Sequence, residues 1–276
     1  MTSPRSFDHR LYNGLQTVLL LGAMAALAGY LGWALFGQLG LWAAALGPLA
    51  ALIGRGASPY MVLRLTRARP IDPTEAPGLY GMVRALAERA RLPVAPHLYY
   101  VPTRALNAFA AGTRDKPAIA LTDGLMREMS GRELAGVLAH ELSHLRANDV
   151  WVMTLAELVG RMTGLLSLLG QLLLFVWVPV AIFTGGSVPL LPLAALIFAP
   201  GVSGLLRLAL ARTREYDADV AAAELTGDPR GLASALDKLE HLQGGWLERV
   251  FAARAPKWLR THPRTDERIR RLLALA

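Results

Sequence analysis

Cysteine is absent from all 276 residues. That excludes a disulfide framework, a thiolate nucleophile and any cysteine-bound metal. Charge is scarce as well. Asp, Glu, Lys and Arg make up 18% of the chain against 53% hydrophobic residues, and the mean hydropathy is +0.34. A soluble domain carries about a quarter charged residues, so an ordinary soluble fold is a poor match. Acidic residues are the rarer sign, 21 against 29 basic, for a formal net charge of +8. In a soluble chain that excess would suggest nucleic acid. Here the basic residues flank apolar runs, so membrane topology explains them and no nucleic-acid partner is expected.

Two long stretches have no charge at all, Leu11–Gly54 and Met162–Leu206. One membrane pass needs about 20 apolar residues, so each stretch is long enough for two. The first divides at Gly37-Gln38-Leu39-Gly40, a glycine-flanked break suited to a tight turn. The second divides at Thr184-Gly185-Gly186-Ser187, with Pro189 following. Four spans are expected: Thr17–Phe36, Leu39–Gly54, Met162–Phe183 and Val188–Leu206. Arg5 and Arg10 precede the first, and Arg55, Arg64, Arg67 and Arg69 follow the second. Arg161 precedes the third, and Arg207, Arg212 and Arg214 follow the fourth. Neither short turn carries a basic residue. Every Lys- or Arg-bearing segment thus falls on one side, the cytoplasmic one by the positive-inside rule. The first apolar run outlasts the h-region of a signal peptide, about 7–15 residues.

This reading gives a membrane hairpin at 1–56 and a second at 162–207. Residues 57–161 and 208–276 form the two halves of one cytoplasmic α+β domain. Pro73–Arg91 reads as a helix with Leu79, Met82, Val83, Leu86 and Ala90 on one face. "HLYYVP" (97–102), "NAFAAG" (107–112) and "PAIALT" (117–122) read as strands, with a hairpin turn at "TRDK" (113–116). Ser130 and Glu133 form a capping box, Ser-x-x-Glu. It opens a helix whose apolar stripe is Leu134, Val137, Leu138 and Leu142. No internal repeat is present.

That helix carries "HELSHLRAND" (140–149). His140 and His144 lie four apart, about 40° from one another on a helix and one turn apart. Both imidazoles reach one metal ion. Glu141 borders the metal without pointing at it, the position from which a carboxylate takes a proton from an activated water. The competing reading is a pair of solvated histidines on an amphipathic helix. Catalytic zinc takes three protein ligands as a rule, and without cysteine the third is His, Glu or Asp. "ARTREYDADVAAAEL" (211–225) offers Glu215 and Asp219, again four apart. Glu215 can bind the metal while Asp219 accepts the spare N–H of a ligating histidine. Alternatively these are the acidic face of a surface helix, paired with Arg212 and Arg214.

Together "HELSHLRAND", "RTREYDAD" and "THPRTDERI" (261–269) resemble the HtpX family of membrane-bound zinc metallopeptidases. "NAFAAG" and the placing of the apolar spans extend the resemblance over essentially the whole chain. Ala211 stands where the family pattern more often has serine, and Arg264 where a second proline is usual. The resemblance implies a zincin-like catalytic domain at the cytoplasmic face of a bacterial inner membrane. It implies one zinc ion per chain, held by His140, His144 and Glu215 with Glu141 as base. It also implies proteolytic quality control of membrane proteins. Asn107 and Ala108 would line the strand edge on which an extended substrate pairs, main chain to main chain; a plain strand with a polar end is the other reading. His262 and Arg268 would stabilise the oxyanion, or serve a capping or structural role. His9, His97 and His241 show no partner pattern.

Glu215 is eight residues past Arg207, about 12 Å along a helix, and His144 is 18 before Met162, at most about 27 Å. The expected substrates are therefore polypeptide segments of membrane proteins, cut near the lipid surface. The basic stretch Arg249–Arg271, with Trp246, Phe251 and Trp258, either rests on anionic lipid or forms a solvated helix pair. Two other functions compete. A prenyl-protein-processing peptidase shares similar motifs but has more spans. A non-enzymatic zinc scaffold or transporter needs polar ligands within the spans, and the spans offer none.

Overall fold

The computed structural model describes residues 4–54, 60–187, 190–243 and 265–276. Along the chain these form α1 (Pro4–Gly54), α2 (Tyr60–Leu65), β1 (Arg69–Pro70), α3 (Pro77–Arg89), β2 (His97–Val101), β3 (Ala108–Thr113) and β4 (Lys116–Thr122). There follow α4 (Asp123–Glu128), α5 (Gly131–Ala147), α6 (Asp149–Thr184), α7 (Leu190–Thr226), α8 (Pro229–Gln243) and α9 (Thr265–Leu273). They divide into two compact units, Met1–Gly56 with Met153–Ala211 and Ala57–Val152 with Arg212–Ala276. The divisions at 152 and 211 fall inside α6 and α7, because both helices extend beyond their uncharged runs.

Among the described residues three helices are long and apolar enough to cross a membrane: Gly14–Ala51 of α1, then α6 and α7. α1 is not straight. Gly37 has φ 63° and ψ −145°, a combination open to glycine alone. A straight helix would hold Gly32 and Gly40 about 12 Å apart. Instead a Cβ on Gly32 would lie 2.2 Å from the Gly40 carbonyl oxygen, and Ala44 packs beside it. The chain reverses at Gly37, and the missing Cβ atoms let the two arms touch backbone to backbone. α6 and α7 are joined by a different device. Pro200 has no N–H to offer the carbonyl of Leu196, which would be orphaned in an apolar setting. Ser167 Oγ donates to it, and Gln171 Nε2 donates to it at 3.0 Å. Phe175 and Phe183 of α6 are exposed, a surface that suits lipid.

In the second unit the sheet order is β1-β2-β4-β3. β2 and β4 are parallel, and β1–β2 and β3–β4 are antiparallel. β4 is buried from Pro117 to Thr122, as befits a central strand, and β3 is an edge. One face of the sheet packs Leu98, Ile119 and Leu121 against Leu138 and Leu142 of α5 and Leu232 of α8. Each fully buried leucine contributes about 1.5–3 kcal/mol. Leu63 of α2 packs with Ala111, Ala118 and Ala120 in a second cluster. The capping box forms as expected, with Ser130 and Glu133 bonded reciprocally. Glu133 also accepts from Ser234 Oγ at 2.7 Å and Lys238 Nζ at 2.8 Å, tying the start of α5 to α8. α5 ends where Asn148 adopts the left-handed conformation at φ 55°. That turns the chain sharply into α6.

Candidate metal centre

α5 presents His140 and His144 on one face, their rings edge to face at 4.7 Å. The two Nε2 atoms are 3.2 Å apart. α7 brings Glu215 to them, with Oε2 3.6 Å from His140 Nε2 and Oε1 3.9 Å from His144 Nε2. Two ligands on one tetrahedral zinc, each at about 2.0–2.2 Å, stand about 3.3–3.5 Å from one another. The three donor groups, all within 4.8 Å, therefore span the right space for one ion. The tautomers fit as well. His144 Nδ1 donates to Asp149 Oδ2 at 2.8 Å. His140 Nδ1 faces Asp219 Oδ1 at 3.0 Å, an ion-pair distance without the alignment of a hydrogen bond. With both Nδ1 atoms facing carboxylates, both Nε2 atoms are left on the side of Glu215. That grouping calls for positive charge, either a proton on His144 or a metal ion.

The charge around His144 makes the same point. Burial pushes its pKa down, but the hydrogen bond to Asp149 and the charges of Glu141, Asp149 and Glu215 outweigh it and hold the pKa up to about 9. The pocket attracts positive charge.

Glu141, next to His140 on α5, reaches the sheet. Its Oε2 accepts the Ala110 N–H at 2.8 Å. That N–H lies on the open side of β3. The main chain of Asn107 pairs with the end of β4, Thr122 N–H donating to the Asn107 carbonyl at 3.1 Å. By alternation, the N–H and C=O of Ala108 and the C=O of Ala110 face the open edge. Asn107 itself does not offer its main chain there.

Arg268 is paired with carboxylates of α7. Its Nε and Nη2 donate to the two oxygens of Asp219, both at 2.7 Å, and Nη1 lies 3.1 Å from Glu215 Oε2. All three nitrogens meet carboxylates, so it buttresses Asp219 and Glu215 and is not set out for an oxyanion. His262, Trp246, Phe251 and Trp258 lie outside the described residues. Two further contributors were not foreseen, Asp149 on His144 and Arg214, whose Nη1 lies 3.0 Å from Asp149 Oδ1. The separation of His144 and Asp149 is five residues, which no helical face produces. The left-handed Asn148 creates the contact, and only a helix stop at "AND" could have hinted at it.

Residues 73–276 match Peptidase family M48. A Protease HtpX homolog of Burkholderia thailandensis is 34% identical over 305 aligned positions, covering 96% of this chain and 98% of the relative. One from Methylibium petroleiphilum is 35% identical, with the same coverage. Among solved structures, Ste24p of S. mikatae is similar at a TM-score of 0.55 and 18% identity, over 98% of this chain and 66% of that longer one. That likeness is one of fold.

Proposed function

The chain belongs to peptidase family M48, and we propose that it is a membrane-integrated zinc endopeptidase that cuts membrane-protein segments at the cytoplasmic face of a bacterial inner membrane. One observation carries this: His140, His144 and Glu215 converge with ligand spacing beside Glu141, and Glu141 in turn touches an open strand edge.

The parts divide as follows. A zinc ion held by these three residues would supply a Lewis acid for the scissile carbonyl and acidify the attacking water. The Glu141 carboxylate takes the proton from that water and passes it to the leaving amine nitrogen. The edge of β3, at Ala108 and the Ala110 carbonyl, pairs with an extended substrate and sets its peptide plane. Asp219 and Asp149 hold the imidazoles, and Arg268 holds Asp219 and Glu215. His262 is the proposed oxyanion donor on family resemblance alone.

Four membrane passes with both ends cytoplasmic are part of the proposal. The reversal at Gly37 and the basic flanks of each apolar run support them. So does the continuation of α6 and α7 from apolar spans into residues of the site. Quality control of membrane proteins is the use this placement favours.

The test is Glu141→Gln in the full-length protein in detergent. Zinc content should stay at the parent level while cleavage of a membrane-protein substrate falls by about 10²–10⁴. Undiminished cleavage would leave the reaction without its base.

A further inference from the structure

We propose that Asp149 and Arg214 form a positioning pair for His144, the counterpart on the second histidine of Asp219 and Arg268 on the first. The inference rests on the metallopeptidase reading and extends it to two residues with no assigned part.

Asp149 is 4% exposed, and a buried carboxylate is stable only when both oxygens are compensated. Its oxygens are divided between two elements. Oδ2 accepts the His144 Nδ1–H from α5, and Oδ1 lies 3.0 Å from Arg214 Nη1 on α7, an ion-pair contact without the alignment of a hydrogen bond. On an unbroken helix residue 149 would sit about 140° round from His144. The left-handed Asn148 brings it back under the ring. A carboxylate placed by a single corner can rotate. The attraction of Arg214 for Oδ1 favours the rotation that leaves Oδ2 to the imidazole. Arg214 directly precedes the ligand Glu215, and Asp219 lies one turn further along. One stretch of α7 therefore supplies a ligand, the buttress of His140 and the anchor for the buttress of His144.

The expected effect follows from what such partners do. Removing the group that orients a ligating histidine weakens metal binding about 10–100-fold. Arg214 gives a sharper test, because the two possible roles predict opposite signs. By charge alone, deleting a cation near a divalent ion should tighten its binding. Deleting an anchor should loosen it.

The measurement is zinc affinity by chelator competition on the full-length protein in detergent, together with the visible spectrum of the cobalt-substituted form. Asp149→Ala should weaken zinc about 10–100-fold. Arg214→Ala should weaken it by tenfold or more and broaden the cobalt bands, and Arg214→Lys should restore most of the affinity. Arg132→Ala, which breaks the exposed pair with Asp228, should change neither. Unchanged or tighter zinc binding in Arg214→Ala, with the parent spectrum, overturns the proposal. Should Asp149→Ala fail to fold, the Arg214 series decides alone. If the parent itself binds no zinc, the metallopeptidase reading fails. If the parent binds and the Arg214 variants match it, only the positioning pair fails.

Discussion

Zinc and a proton compete for His144. A ligating imidazole must be neutral, whereas this one is held protonated up to about pH 9 by Asp149, Glu141 and Glu215 acting against burial. The sign follows from the raised pKa. In the metal-free protein the stabilisation from charged His144 is complete below the ordinary value of 6.5 and disappears as pH rises through about 9. Zinc binding runs the other way. At pH 7 the proton must be displaced across two pH units, a penalty of about 3 kcal/mol or roughly a hundredfold in apparent affinity. The apparent zinc affinity should therefore rise about tenfold per unit from pH 7 toward 9 and then level off. Calorimetry of zinc binding in buffers of different ionisation enthalpy counts the protons released. His144 should contribute about one proton per zinc at pH 7 and about half of one near pH 9, beside any proton given up by the water that the metal acidifies. Zinc uptake at pH 7 without proton release would refute the reasoning.

Two more predictions concern other parts of the same unit. Glu133 is buried; burial opposes its charge, but Lys238, Ser130 and Ser234 hold its pKa at about 2, below the ordinary 4.5. Its contribution is present above pH 4.5 and lost as pH falls toward 2. Lys238 is partly exposed, so after screening Glu133→Gln should lose about 2 kcal/mol at neutral pH. In acid unfolding the gap between variant and parent should close over that window, and a constant gap would contradict the assignment. Ala110→Pro removes the N–H that Glu141 accepts and spares the β4 ladder, since that N–H faces the open edge. Zinc content should hold while turnover falls about tenfold or more; equal turnover would mean that the contact does not place the base.

Periodicity reads one element at a time, and the legible features were of that kind. "HLYYVP", "NAFAAG" and "PAIALT" became β2, β3 and β4, because alternation and turn residues are local. The capping box at Ser130 and the reversal at Gly37 were legible for the same reason. The sheet order was not. β3 lies between β2 and β4 in sequence, yet β2 and β4 are the neighbours, and this leaves β3 as the open edge beside Glu141. Strand pairing across a crossover depends on which faces bury together, and no single strand shows that. β1, of two residues, is too short to carry a pattern.

The site divides in the same way. His140 with His144, and Glu215 with Asp219, are i,i+4 pairs on single helices and can be read from spacing. Arg268 and Asp219 are 49 residues apart, and Asp149 meets His144 only through a corner. Yet these hidden contacts complete the electrostatics. Four carboxylates gather around the two imidazoles: Glu141, Asp149, Glu215 and Asp219. Two guanidiniums, Arg214 and Arg268, answer them. With His144 protonated, one formal negative charge remains in the metal-free pocket; once both histidines are neutral and ligating, two remain, and a divalent cation among the Nε2 atoms and Glu215 balances them. The arginines thus do more than support their carboxylates: they lower the charge that the bound ion must neutralise from four to two.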